Sequence, residues 1–295
     1  MTSRYVGWFS DPELSEIAGI AKSGANSVAM GPYCVMSHWN APNVGSMVGT
    51  TTQFLQAMSA ARARGLKVVL KPIIDCSSYA GDLDTAGWRA AINPSNIASW
   101  IQDYWAKCFQ PFLAHVDVVA IHTELATVSA LYPNNFIELI EEIRMAGFSG
   151  PITTSNDLDP LGCRYWTALD WIGADAYPAI RSKSMADAVA DWTSLAQQAA
   201  VVNTQTGCNI YFGEFCPNIG VSMSSAQAAV VYQAFWEVFG PLEFWAGVIG
   251  WRWPQNGSAP SAVLTAGLAT GLAARPTFVT PLANLAVGSM YVGQT

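Results

Sequence analysis

Asn209-Ile210-Tyr211-Phe212-Gly213-Glu214-Phe215 is a short apolar run that ends on a single carboxylate. Residues 210–213 are apolar or Gly, and turn residues flank the run, so it reads as a buried strand delivering Glu214 to its C-terminal end. Asp117-Val118-Val119-Ala120-Ile121-His122-Thr123-Glu124 has the same form. Two carboxylates at the ends of two strands in one chain point to a pair of acids facing a shared site.

The pattern extends along the chain in both directions. Strands are expected over residues 5–9, 27–30, 66–72, 117–124, 151–155, 170–175, 209–214 and 247–253. Helical periodicity or capping chemistry fills 12–22, 51–64, 96–112, 134–145, 185–202, 225–239 and 261–273, and Gly65 and Gly147 mark helix ends. Residues 33–50 and 73–94 read as long loops. Strands that alternate with helices run parallel, and near-continuous apolar strands suit a sheet covered on both faces. Eight such units specify an α/β fold, a (β/α)8 TIM barrel in a single domain over residues 1–275. Residues 276–295 lack a helical period and either pack on the barrel or tether it to a larger assembly.

Composition narrows the function. The 295 residues are 51% hydrophobic and 12% charged, which excludes a disordered chain. No stretch of about 18 consecutive apolar residues occurs, so membrane insertion is not expected. A net charge of −7, with 14 scattered Lys and Arg residues, argues against nucleic acid and for a neutral ligand. Cys34, Cys76, Cys108, Cys163, Cys208 and Cys216 form no CxxC pair and are expected as buried free thiols, and no metal site is indicated. The N-terminus has no basic segment followed by an apolar one; a cytoplasmic location or delivery by another route fits. Neither GxGxxG nor GxxxxGK[ST] is present, and no organic cofactor is expected.

In a barrel of this kind the strand C-termini form one rim, so Glu124 and Glu214 share a face. Two adjacent carboxylates suit glycoside hydrolysis, in which one acid protonates the leaving oxygen and the other attacks the anomeric carbon or activates water. A strand-end Glu also serves to cap a helix or pair with an Arg, and one such Glu alone would carry little weight.

Gly65-Leu66-Lys67-Val68-Val69-Leu70-Lys71-Pro72, Thr123-Glu124-Leu125, the run from Trp166 to Tyr177 and Phe212-Gly213-Glu214 together resemble endo-β-mannanase family 113, within the clan of retaining barrel glycosidases that carry their acids on strands four and seven. The resemblance spans roughly residues 5–255. It implies Glu124 as acid/base, Glu214 as nucleophile, Tyr177 hydrogen-bonded to Glu214, and Trp251 or Trp253 as an aromatic floor, with a β-mannan-type polysaccharide or oligosaccharide as substrate. Thr123 stands where many members of the clan have Asn, His122 where family 113 usually has Gly, and Ile73 where it tends to have His.

Other residues complete the expected site. Lys71 either pairs with a carboxylate or binds a hydroxyl. Asp175 binds sugar or ties down Lys71, and Asn156 donates to a sugar hydroxyl or forms a turn. Trp8, Trp39, Trp88, Trp251 and Trp253 lie at strand ends or in the long loops, where flat rings can stack on pyranoses. His122, sharing strand parity with Glu124, is expected to point into the barrel as a hydrogen-bonded core residue. Hydrolysis of another cell-surface or cell-wall polysaccharide, or an inactive carbohydrate-binding barrel, is the alternative.

Overall fold

The structure, a computed structural model, describes residues 4–76, 89–156, 164–218 and 223–251. In chain order the strands are β1 (Tyr5–Phe9), β2 (Ser27–Met30), β3 (Tyr33–Met36), β4 (Ser46–Val48), β5 (Lys67–Leu70), β6 (Ile73–Cys76), β7 (Val118–Thr123), β8 (Ile152–Ser155), β9 (Trp171–Ala176), β10 (Asn209–Phe215) and β11 (Trp245–Gly250). The helices are α1 (Leu14–Lys22), α2 (Thr51–Arg62), α3 (Ile97–Cys108), α4 (Ala126–Leu131), α5 (Pro133–Met145), α6 (Met185–Thr206) and α7 (Ser225–Phe239). The helix expected over 261–273 and the tail 276–295 lie outside the described residues, as do Trp88, Cys163 and Trp253.

Eight strands form one parallel sheet in the order β8-β7-β5-β2-β1-β11-β10-β9. Its two edges meet where Asn156 bridges Ala174, the Asp175 N–H donating to the Asn156 carbonyl at 2.7 Å. The result is a nearly closed (β/α)8 barrel. Closure leaves almost no exposed strand edge and brings all the strand C-termini onto one rim.

Residues 33–50 and 73–94 are not wholly loop, contrary to the sequence reading. β3, β4 and β6 form a second, three-stranded sheet over the rim. Two prolines explain the break. The Lys71 N–H donates to Met30 O at 3.0 Å, Pro72 has no N–H to give, and the ladder resumes with the Ile73 N–H on Pro32 O at 3.1 Å. The chain thus leaves the barrel after β2 and β5 and pairs again one step further out.

Strand alternation divides the core in two. Phe9, Ala29, Val69, Val118, Trp171, Tyr211, Ala246 and Ile249 fill the barrel interior, while Val6, Trp8, Val28, Leu70, Ile121, Ile172 and Phe212 face the helices. Capping boxes start two helices, Thr50 with Gln53 at α2 and Ser224 with Gln227 at α7. Among the described residues no helix is long and apolar enough to cross a membrane. The described cysteines are free thiols.

The barrel seam depends on Gly173. A Cβ there would lie 1.7 Å from the Thr154 carbonyl oxygen, on backbone that cannot yield. Gly65, with φ of +77° at the end of α2, has nothing within 4 Å and carries only the conformational cost. Gly173→Ala is therefore expected to destabilise by about 1–3 kcal/mol or more through overpacking, and by more than Gly65→Ala, measured by urea denaturation. Equal losses would show that the seam tolerates the methyl group.

Candidate active site

Glu214 reaches the rim because β10 carries a bulge. Tyr211 faces the interior and Phe212 the helices, so uninterrupted alternation would turn Glu214 outward. The register against β9 instead shifts between Phe212 and Glu214, making Gly213 the extra residue. This reverses the parity, so that Glu214 points inward and Phe215 outward. A Cβ on Gly213 would come within 2.4 Å of Ser155 Oγ, so the bulge also needs glycine to let β8 approach. Phe215 then locks the strand end into an aromatic cluster, stacked on Trp192 at 5.4 Å and tilted against Phe235 at 4.8 Å.

β7 ends in a similar way. Its register against β8 shifts between Ala120 and Thr123. His122 is consequently turned away from the interior, correcting the expectation from parity: it packs edge-on against Phe136 of α5, and its Nε2 lies 2.6 Å from Tyr165 Oη. The Thr123 hydroxyl donates to the Pro72 carbonyl at 3.0 Å. Glu124 follows with φ of +52°, a left-handed conformation that costs a non-glycine residue about 1–3 kcal/mol. Its N–H is held by the Ser155 carbonyl at 2.7 Å.

One carboxylate oxygen from each of Glu124, Asp175 and Glu214 lies within 4.8 Å of the other two. Lys71, buried to 1% exposure, bonds to Glu214 Oε1, and the Tyr177 hydroxyl donates to Oε2. The Ser155 hydroxyl donates to Asp175 Oδ1. Burial and the nearby Glu214 push Asp175 well above the usual carboxylate range, which favours its protonated form. Burial and Glu214 likewise raise Tyr177, so it remains a phenol able to donate.

On the other side of the cluster, Arg89 Nη1 donates to Glu124 Oε2 at 2.6 Å and its Nε to Asp75 Oδ1 at 3.1 Å. The Tyr33 hydroxyl donates to Asp75 Oδ2. Trp251 stacks on Phe9 with ring centroids 5.4 Å apart, and Lys71 Nζ lies 5.5 Å from the Trp251 centroid and 5.7 Å from that of Phe9. Two stacked aromatic rings thus lie beside Lys71, the partner of Glu214.

Of the residues singled out from sequence, Glu124, Glu214, Lys71, Asp175, Tyr177 and Trp251 converge. Trp8 does not: it lies on the outer face at 5% exposure, and its neighbour Phe9 faces the site instead. Alternation from Tyr5 to Phe9, with Gly7 inward, carried that information. Asn156 serves the barrel through its backbone bridge. Tyr33, Asp75 and Arg89 were not singled out as site residues, and no local spacing links them.

Solved structures share this architecture. A structure titled as a complex of a GH113 β-1,4-mannanase superposes with a TM-score of 0.71 at 17% identity, covering 91% of this chain and 100% of that one. The GH113 β-mannanase AaManA from Alicyclobacillus acidocaldarius, in complex with ManMIm, gives 0.69 at 16% identity, with 92% and 98% covered. A GH5-4 broad specificity endoglucanase from an uncultured bacterium gives 0.57 at 10% identity, with 90% and 94% covered. At these identities the likeness is one of fold. No curated protein sequence matches the chain. The model of Glycoside Hydrolase Family 113 matches residues 6–263, and the chain belongs to that family of glycoside hydrolases.

His122 gives the site's support a pH signature. Burial, with Lys71 nearby, lowers it to about 3 from an ordinary value of 6.5. The unfolded chain therefore takes up a proton that the folded chain refuses, and stability present above pH 6.5 is lost as pH falls toward about 3. In that window His122 contributes a slope of about 1.4 kcal/mol per pH unit. Urea titrations between pH 6.5 and 4 are expected to show a slope shallower by about one proton in His122→Gln than in the parent; identical slopes would contradict a neutral buried imidazole.

Proposed function

We propose that this family 113 protein is a retaining, endo-acting hydrolase of a β-linked, mannan-type polysaccharide, with Glu214 as nucleophile and Glu124 as acid/base. The observation that carries this reading is the spacing of the two carboxylates. Retaining enzymes hold the pair about 5–5.5 Å apart, whereas inverting ones leave about 6.5–9.5 Å for a water. One oxygen from each carboxylate lies within 4.8 Å of its counterpart, a close approach that supports the retaining arrangement.

In the first half-reaction a Glu214 oxygen attacks the anomeric carbon while Glu124 gives its proton to the departing glycosidic oxygen. In the second, Glu124 takes a proton from water, whose oxygen displaces Glu214 and regenerates the carboxylate. Lys71 and Tyr177 occupy one bond each to Glu214 and fix the direction of attack. Burial favours the protonated form of Asp175, which lessens a third negative charge beside the pair, and Asp175 remains a proposed sugar contact. Trp251, backed by Phe9, provides a face for a pyranose ring, and Asn156 and Trp253 remain proposed contacts beyond it. The substrate class is supported by the structural relatives, which are β-mannanases.

On β-1,4-mannan, Glu214→Ala is expected to reduce turnover to background and Glu124→Gln to reduce it by about 10²–10⁴-fold. Proton NMR of the first product should show the β-anomer before mutarotation. An α-anomer would exclude the retaining mechanism. Absence of cleavage across mannans, glucans, galactans and bacterial wall glycans would leave an inactive carbohydrate-binding barrel.

A further inference from the structure

Tyr33, Asp75 and Arg89 have no part in the two-carboxylate mechanism, yet they form a buried chain that ends on Glu124. The Arg89 and Asp75 side chains are 7% and 9% exposed. Asp75 sits on β6 and Tyr33 on β3, in the small sheet over the rim, while Arg89 lies in the connection from β6 to α3. Both Asp75 oxygens are engaged, Oδ2 by the Tyr33 hydroxyl and Oδ1 by Arg89 Nε, so the planar guanidinium is aimed from behind. Its Nη1 grips one oxygen of Glu124, whose side chain is 21% exposed.

Stability does not account for such a chain. Taking these ions out of water costs several kcal/mol each, and well-packed apolar residues of similar size often serve a fold equally well or better. A directional task explains it. Glu124 stands at the end of a bulged strand on a backbone with positive φ, and its carboxyl has to present one particular oxygen to the glycosidic bond.

We infer that Arg89, aimed and charge-balanced by Asp75 and Tyr33, is the positioning residue for Glu124, holding Oε2 so that the other oxygen faces the leaving group and setting how readily that carboxyl keeps its proton. This rests on Glu124 being the acid/base. Among the described residues, the charged and titratable groups around Glu124 include Arg89 from the β6–α3 connection, Asp175 from β9, Tyr177 just after it and Glu214 from β10, with Lys71 after β5 bonded to Glu214. Arg89 favours the ionised form of Glu124, and Asp75 offsets Arg89. Sharing one guanidinium between two carboxylates lets Arg89 orient Glu124 without pinning it as an anion.

The signs can be tested separately. The parent, Arg89→Gln, Asp75→Asn and Glu124→Gln are compared by kcat/KM on β-1,4-mannan and on 2,4-dinitrophenyl β-mannobioside, whose leaving group needs no acid. Glu124→Gln should lose about 10²–10⁴-fold on mannan and little on the aryl glycoside. Arg89→Gln should show the same split, with about 10–100-fold lost on mannan, a part of that contribution. The alkaline limb of the mannan profile should move to higher pH in Arg89→Gln and to lower pH in Asp75→Asn, by about one unit or more.

Equal losses on both substrates with unmoved limbs would overturn the inference and leave Arg89 a structural ion pair. Were Arg89→Gln not to fold, Asp75→Asn alone decides: a downward shift supports the inference and an unmoved limb overturns it. If Arg89→Gln shows no split while Glu124→Gln does, only the inference about Arg89 fails. If Glu124→Gln shows no split, or the parent cleaves neither probe, the acid/base assignment falls and the inference with it.

Discussion

Three carboxylates within 4.8 Å of one another are the constraint to which the rest of the rim answers. At an effective dielectric constant of about 20, each pair of like charges at that separation repels by about 3.5 kcal/mol. Three ionised groups would therefore oppose folding by about 10 kcal/mol, comparable to the whole stability of an ordinary domain, about 5–15 kcal/mol. The structure relieves this in three ways. Burial favours the protonated form of Asp175, which would remove two of the three repulsive pairs. Lys71 sets a buried cation directly on Glu214, and Arg89 sets another on Glu124. The remaining Glu124–Glu214 repulsion favours a proton on one member of the pair.

Holding those charges in register demands irregular backbone in an otherwise regular barrel. At β10 the bulge at Gly213 turns Glu214 inward, and Phe215, buried among Trp192, Tyr232 and Phe235, stops the strand from slipping back. Each of those large side chains contributes about 1.5–3 kcal/mol by burial, enough together to offset a locally weakened ladder. At β7 the shift between Ala120 and Thr123 sends His122 out to Phe136 and Tyr165, and the left-handed Glu124 adds a further local cost. Packing in the barrel–helix layer thus sustains strain at the rim, a link from core energetics to site geometry.

The barrel and half of the site were legible in the sequence for a common reason: both depend on local periodicity. Apolar runs ending in Glu124 and Glu214, Lys71 before a proline, and Asp175 two residues before Tyr177 are short-range patterns that strand alternation converts into positions. Bulges are not legible in this way, because a one-residue slip leaves no trace in hydrophobicity, and it was the slip in β7 that reversed His122. Trp8 against Phe9 was a matter of parity, and the inward Gly7 would have settled it. The Tyr33–Asp75–Arg89 chain joins β3, β6 and the β6–α3 connection, and its members meet only once Pro32 and Pro72 have redirected the strands into the second sheet. No spacing rule covers a contact made by three separate segments.

Those prolines give the departures from the family pattern a physical meaning. Thr123, directly before Glu124, is one of the departures read from the sequence, and its hydroxyl donates to the carbonyl of Pro72. Pro72 directly follows Lys71, which holds Glu214, and directly precedes Ile73, which is buried in the interior and opens the strand carrying Asp75. One dipeptide, Lys71-Pro72, therefore ties the strand that delivers Glu124 to the partner of Glu214, and the chain beyond it supplies the Asp75 carboxylate that bonds Arg89. A displacement at Pro72 would reach Glu214 through Lys71, β7 through Thr123, and Glu124 through Asp75 and Arg89. The two carboxylates, although on strands far apart in sequence, are positioned as one mechanical unit about that proline, and the spacing that defines the chemistry is fixed there as much as by the barrel itself.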